Sequence, residues 1–298
     1  LFDKAIIGVD IGGTKIMAGA ITPGGIPIGR PHKLPTGGGD AKEAALGRIF
    51  ETISGVIRDN RLTPDNTAGI GIGCTGPVDT KNGLILECPQ LPSLNYFNLK
   101  KPVEEKFALP VTLNNDANAL ILGESVWGAG KGYNSVLGFT LGTGFGCAIV
   151  LNGRLIMGAN ETAGEIWTSP FNDGIIEDAV SGPGISRIYE KITGICLNGE
   201  FIAEAARNGK KEALAAYGEF GKALGFAAAW SVNLIDPEVI ILGGSVSNSI
   251  DLFISPMEET IKKFTCPAPA ANLKIVKAEL GDFAGVAGAA SLVFNSLS

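Results

Sequence analysis

The chain matches itself. With Leu137 set under Ile7, an offset of 130 residues, Ile7-Gly-Val-Asp-Ile-Gly-Gly-Thr14 falls on Leu137-Gly-Phe-Thr-Leu-Gly-Thr-Gly144. Each copy is an apolar run, a glycine turn and a second apolar run. Each is followed by another turn, Pro23-Gly24-Gly25 in the first and Asn152-Gly153 in the second. Self-similarity at a fixed offset marks a repeated supersecondary unit. It predicts two related α/β domains, each presenting one glycine hairpin, with a ligand gripped in the cleft between them. Hairpins that simply recur are the plainer alternative.

The 298 residues leave room for two such domains, and 45% hydrophobic against 18% charged residues describes a folded chain. A net charge of −6 excludes a broadly nucleic-acid-binding surface. It does not exclude an anionic small ligand, because backbone N–H groups hold phosphates without basic side chains. The five cysteines form no C-x-x-C pair, and His32 is the only histidine. A disulfide framework, a zinc cluster and a Ser-His-Asp triad are therefore not expected. The uncharged stretch between Lys131 and Arg154 carries six glycines and reads as a hairpin, not a membrane span. With no signal peptide pattern at the start, a soluble, cytoplasmic protein is expected.

Hydrophobic periodicity predicts strands at 5–10, 16–21, 68–74, 111–113 and 238–242. It predicts helices over 41–59, 117–127, 212–234, 251–264 and 284–297. The 42 glycines cluster after apolar runs, where backbone turns tightly or approaches a ligand. The commoner nucleotide loops do not fit. Gly130-Lys131 is followed by Gly132, with Ser125 at the first glycine of a P-loop. Gly142-Thr-Gly144 and Gly69-Ile-Gly71 both reach Cys, at 147 and 74, where a Rossmann loop needs its last glycine.

Six segments then stand in a telling order: Asp10-Ile-Gly-Gly-Thr-Lys15, Gly71-Ile-Gly-Cys-Thr-Gly-Pro-Val-Asp79, Asn114-Asn-Asp-Ala-Asn-Ala119, Thr140-Leu-Gly-Thr-Gly-Phe-Gly146, Gly158-Ala-Asn-Glu-Thr-Ala-Gly-Glu165 and Ile240-Ile-Leu-Gly-Gly244. Each is a weak motif alone. Together, over nearly the whole chain, they resemble the repressor/open-reading-frame/kinase (ROK) family of bacterial sugar kinases and regulators. The resemblance implies an α/β, two-domain actin-like ATPase fold, ribonuclease-H-like, with an interdomain cleft. Residues 1–115 plus 285–298 would form a smaller N-terminal domain and 116–284 a larger C-terminal one. It also implies an ATP-dependent hexose kinase using Mg²⁺, and a homodimer.

Carried onto this chain, the resemblance makes Asp10, Gly12, Gly13, Thr14 and Lys15 the first phosphate loop. Asp10 would orient Mg²⁺, most simply through water. Thr140, Gly142, Thr143 and Gly144 make the second loop, and Gly243-Gly244 the adenosine-side turn. Asp116 becomes the base that takes the sugar hydroxyl's proton, with Asn115 beside it. Its local sequence alone equally fits a helix cap. Gly73, Thr75 and Gly76 would line the sugar pocket, with Asn95 a weaker candidate, and Glu165 and Glu177 would bind sugar hydroxyls.

The chain departs from the family at one place. Many members carry Glu-x-Gly-His and then a cysteine cluster for structural zinc. Here Glu165 is followed by Ile166-Trp167-Thr168, and no cysteine lies between Cys147 and Cys196. No zinc is expected, and packing through Trp167 and Phe171 would hold the loop. Glucose is the first expected acceptor, phosphorylated on its 6-OH, with an N-acetylhexosamine or β-glucoside as alternatives. A non-enzymatic sugar sensor and an acyl-phosphate kinase are the other classes. The family's repressors carry an N-terminal DNA-binding segment, and a first strand from about Ala5 leaves no room for one.

Overall fold

The computed structural model describes residues 4–89 and 91–297. The chain forms two compact units, Leu1–Gly132 with Val150–Ala163 and Ala278–Ser298, and Tyr133–Ile149 with Gly164–Lys277.

The first unit is built on β1 (Ala5–Ile11), β2 (Lys15–Ile21), β3 (Pro27–Pro35), β4 (Thr67–Cys74) and β5 (Val111–Asn115), in the order β3-β2-β1-β4-β5. The β1-β2 and β2-β3 pairs are antiparallel, and β1-β4 and β4-β5 are parallel. Strand periodicity sorts the residues of β1 between two layers. Ile7, Val9 and Ile11 join Ile49, Ile53 and Val56 of the helix Lys42–Asp59. Ile6 joins Val286, Ala287, Ala290 and Val293 of the terminal helix Ala284–Leu297. Gly8 follows Ile6 on that face, and a Cβ there would overlap the Val286 carbonyl. Gly71 of β4 meets the Ala289 carbonyl in the same way. Several glycines therefore bring a helix down onto the sheet, where the sequence pattern suggested turns or ligand contact.

The helix Asp116–Trp127 packs on the terminal helix, and a Cβ on Gly123 would lie 2.7 Å from the Gly288 Cα. The unit boundary accordingly differs from the expected 1–115 and 116–284 division. Residues 116–132, 150–163 and 278–284 belong to the first unit.

The second unit carries β6 (Ser135–Leu141), β7 (Phe145–Leu151), β8 (Val239–Gly243) and β9 (Lys274–Lys277), in the order β7-β6-β8-β9. The last two residues of β7 already count with the first unit. β8 runs parallel to β6 and to β9. The long helix Lys211–Ile235 packs on Ile250–Phe264 through Phe220 and Phe253, whose ring centroids are 5.1 Å apart. Its Gly221 and Gly225 let Pro256 and Thr260 approach closely.

The repeat is present element by element. Ala5–Ile11 and Ser135–Leu141 are both strands at the offset of 130, and so are Lys15–Ile21 and Phe145–Leu151. The order β2-β1-β4-β5 recurs as β7-β6-β8-β9. The five expected helices lie within a residue or so of their forecast ends. Shorter helices such as Lys100–Phe107, Gly182–Thr193 and Gly199–Arg207 were not foreseen. Among the described residues no helix is long and apolar enough to cross a membrane.

Candidate active site

In the first unit the site gathers at the ends of β1, β4 and β5. The parity that points Gly8 at the terminal helix carries Asp10 to that helix's first turn. There a Cβ on Gly285 would overlap the Asp10 carboxylate. Gly73 ends the same face of β4, with room for a Cβ at 3.4 Å from the Ala119 Cβ and 3.8 Å from the Asp116 Cα. The protein's own packing leaves that space open beside Asp116.

β5 ends at Asn115, and the next residue opens a helix. The cap belongs to Asn115, not Asp116. The Asn115 side-chain oxygen accepts the Ala117 N–H at 2.8 Å and the Asn118 N–H at 3.3 Å, and its Nδ2 donates to the Gly76 carbonyl at 3.1 Å. One Asp116 oxygen accepts the Ala117 N–H at 2.8 Å, and the other accepts the Thr75 hydroxyl at 3.0 Å. Burial pushes the Asp116 carboxyl above the usual range, opposed by the Thr75 bond and then the Ala117 bond. Asp10 is pushed up to about 6, by burial first and then by the charge of Asp116, against Lys15.

Two mutually repelling carboxylates are hard oxygen donors in want of a cation. They fit a hydrated Mg²⁺ that keeps waters or phosphate oxygens as its remaining ligands. Among the described residues no three His, Cys, Asp or Glu side chains gather into a protein-only cage.

The first glycine loop is closed by the Gly12 N–H on the Lys15 carbonyl at 3.0 Å, and Gly13, Thr14 and Lys15 are exposed. Thr36, which sequence reading missed, clamps it from β3's end. Its hydroxyl donates to the Gly12 carbonyl at 2.6 Å and its N–H to the Thr14 carbonyl at 3.1 Å. Asn114 and Asn118 were missed as well. The Asn114 side-chain oxygen accepts the Asn115 N–H at 2.8 Å and the Asn118 amide at 3.0 Å, which stiffens the turn into Asp116. Gly76 has φ of +100°, and a Cβ would overlap the Glu87 carbonyl, so backbone geometry alone demands glycine there. The Asn95 side chain accepts the Cys88 N–H at 2.7 Å.

In the second unit the loop Thr140–Gly146 repeats the first. The Gly142 N–H donates to the Gly144 carbonyl at 3.0 Å, and the Gly142 carbonyl accepts the Gly182 N–H at 2.7 Å from the start of the helix Gly182–Thr193. The Glu177 carboxylate accepts the Phe145 N–H at 2.8 Å. Gly142 and Thr143 line a cavity of about 830 Å³ with Gly182, Pro183, Ser245 and Val246. Ser245 and Val246 follow the Gly243-Gly244 turn, so the second glycine loop and the residues just past that turn open onto one space. Asn198 and Arg207 also line it, and no motif announced them.

Glu165 follows Gly164, whose φ is +91° and whose Cβ would overlap the Cys147 carbonyl. The Trp167 indole N–H donates to the Glu165 carboxylate. Beyond Thr168, Pro170–Phe171 and Gly174–Ile175 pair as a small hairpin. Phe171 lies 6.1 Å from Phe226, centroid to centroid, and Phe226 lies 4.9 Å from Phe264. Phe171 thus packs as expected, whereas Trp167 turns to Glu165.

The model of the ROK family matches residues 6–296. A glucokinase of Halalkalibacterium halodurans is 31% identical over 318 residues, covering 98% of this chain and 95% of its own. An N-acetyl-D-glucosamine kinase of Photobacterium profundum is 32% identical over 307 residues, covering 96% and 98%. The crystal structure of a ROK family glucokinase from Streptomyces griseus, in complex with glucose and AMPPNP, superposes with a TM-score of 0.80 at 29% identity, over 97% of this chain and 98% of that one. The mixed α/β fold of this chain is the actin-like ATPase fold of these structures.

Proposed function

Because the chain belongs to the ROK family, we propose that it is an ATP-dependent sugar kinase in which Asp116 takes the proton of the attacking hexose hydroxyl. The observation that carries this reading is the division of labour at the β5 turn. Asn115 caps the helix, and the Asp116 carboxylate gives one oxygen to the Ala117 N–H at 2.8 Å and the other to the Thr75 hydroxyl at 3.0 Å. A buried carboxylate whose pKa is raised is a stronger base than an exposed one.

The reaction balances simply. The sugar oxygen forms a bond to the γ-phosphorus, the bond from that phosphorus to the β–γ bridging oxygen breaks, ADP leaves, and the hydroxyl proton passes to Asp116. Asp10 would hold Mg²⁺, which neutralises phosphate charge when bound. The loops at Gly12–Lys15 and Thr140–Gly144 would offer backbone N–H groups to phosphates, and the cavity at Gly142, Thr143, Ser245 and Val246 would take the nucleoside. Glu165 would accept sugar hydroxyl protons. Glu177, already bonded to Phe145, supports the second loop in this reading.

Glucose, phosphorylated on its 6-OH, is the first acceptor proposed. The similarity to an N-acetyl-D-glucosamine kinase supports N-acetylhexosamines as the second. The test is ADP release with Mg²⁺-ATP against hexoses, N-acetylhexosamines and β-glucosides. Asp116→Asn should lower kcat by about 10²–10⁴-fold while sugar still binds. Undiminished turnover in that variant removes Asp116 from the mechanism, and a wild-type chain that binds sugar without turnover is a sensor.

A further inference from the structure

Trp167 stands where the relatives' Glu-x-Gly-His pattern has glycine, and its indole is coupled to the acid of that pattern. Trp167 is 37% exposed and sits on the short 3-10 helix Ile166–Thr168. Its N–H donates to one oxygen of Glu165. Glu165 itself is fixed from behind. Gly164, in the left-handed region, lies against the Cys147 carbonyl of β7, and Glu165 is near enough for its charge to add to burial in raising the Cys147 thiol to about 12. The hairpin that follows is anchored by Phe171 on Phe226, so the 3-10 turn is held at both ends.

We propose that Trp167 is the sugar-selecting residue of this chain, orienting Glu165 through its N–H and offering its exposed ring as a platform for the C–H face of a pyranose. The inference rests on the sugar-kinase reading and on Glu165 as a sugar acid. An indole N–H is a donor only, so it leaves the second Glu165 oxygen free to accept a hydroxyl. A hydroxyl bonded there brings its pyranose ring beside the indole. Large aromatic rings present an apolar face with a polar tip, which suits a ligand with C–H faces and an O–H rim. A hexose whose substituents are all equatorial lays only C–H bonds against such a ring. An axial hydroxyl on the face laid against the indole would press an unpaired polar group onto it, which is costly once water is excluded. The ligand class is therefore an all-equatorial, gluco-configured pyranose.

The experiment measures KM for glucose, mannose, galactose and ATP in the wild type, Trp167→Phe and Trp167→Gly, with melting temperature as the folding control. Trp167→Phe keeps a ring and loses the N–H, so KM should rise about tenfold for every sugar with the order of preference retained. Trp167→Gly loses both, and the preference for glucose over its axial epimers should collapse. KM for ATP should stay as it was in each folded variant. Wild-type sugar preference retained in Trp167→Gly overturns this inference and leaves the kinase reading standing. A wild-type chain that turns over no hexose overturns both.

Discussion

The Glu177 carboxylate accepts the Phe145 N–H at 2.8 Å, and a Cβ on Gly144 would lie 2.6 Å from the same carboxylate. An acidic side chain is thus tucked against the second glycine loop, with its own backbone tied onward by the Ser181 hydroxyl to the Glu177 carbonyl at 2.8 Å. The bond is charge-assisted and partly buried, so the loop's shape depends on it. Glu177→Ala should raise KM for ATP by about tenfold and leave the sugar KM near wild type. Steady-state kinetics with each substrate varied in turn decides the matter. A rise confined to the sugar KM would move Glu177 to the sugar site.

Thr75 lowers the pKa of Asp116 by donating to it, against the larger effect of burial. Thr75→Val removes that bond and lets the carboxyl rise further. The acid limb of the kcat/KM profile should move to higher pH, and turnover at pH 7 should fall by about three- to tenfold. An unchanged acid limb would mean that the Thr75 bond does not tune the base.

Asp10 is raised from 3.8 to about 6 in the folded chain, mainly by burial. A folded pKa above the unfolded one means that the folded state holds its proton longer. Its stability contribution is complete below about pH 4 and is lost as pH rises through about 6. Asp10→Asn removes a penalty of roughly 3 kcal/mol at its upper end. In ligand-free, Mg²⁺-free protein the variant should melt above wild type at pH 8 and close to it at pH 4, while losing activity. Equal melting at both values would contradict the burial of a strained carboxyl.

Glu124 is fully buried and accepts three backbone N–H groups, from Ala129 at 2.9 Å, Glu279 at 3.1 Å and Leu280 at 2.9 Å. Within the first unit it ties the end of the helix Asp116–Trp127 to the segment that precedes the terminal helix. Glu124→Ala strands all three donors, and a loss of about 2–4 kcal/mol is expected. Denaturant unfolding measures it. Glu124→Gln, which keeps one acceptor oxygen, should lose less.

The glycine hairpins, the order of the six motifs and the placement of Asp116 at a strand-to-helix turn were all legible in the chain. Each is written in local spacing: apolar runs of strand length, small residues at the bend, and an offset of 130 that the strands keep to the residue. What was not legible is partnership. Gly8 and Gly71 read as residues inside two strands with no partner indicated, yet they seat the terminal helix, and the residues they meet lie more than two hundred positions away. Thr36 and Glu124 carry no motif, and Asn118 lies in one without its partner being announced, since a hydrogen bond across the fold leaves no periodic trace in sequence.

The same holds inside the site. The sequence by itself determined that an asparagine and an aspartate stand at the end of β5, and that Trp167 and Thr168 replace the family's glycine and histidine. Only the tertiary structure decided that Asn115 takes the helix cap while Asp116 is held by Thr75, and that Trp167 turns its N–H to Glu165. Adjacent residues share the same local propensities. Which of them caps and which is held by Thr75 depends on where β4 brings Thr75 and Gly76, and that is a property of sheet order, not of spacing.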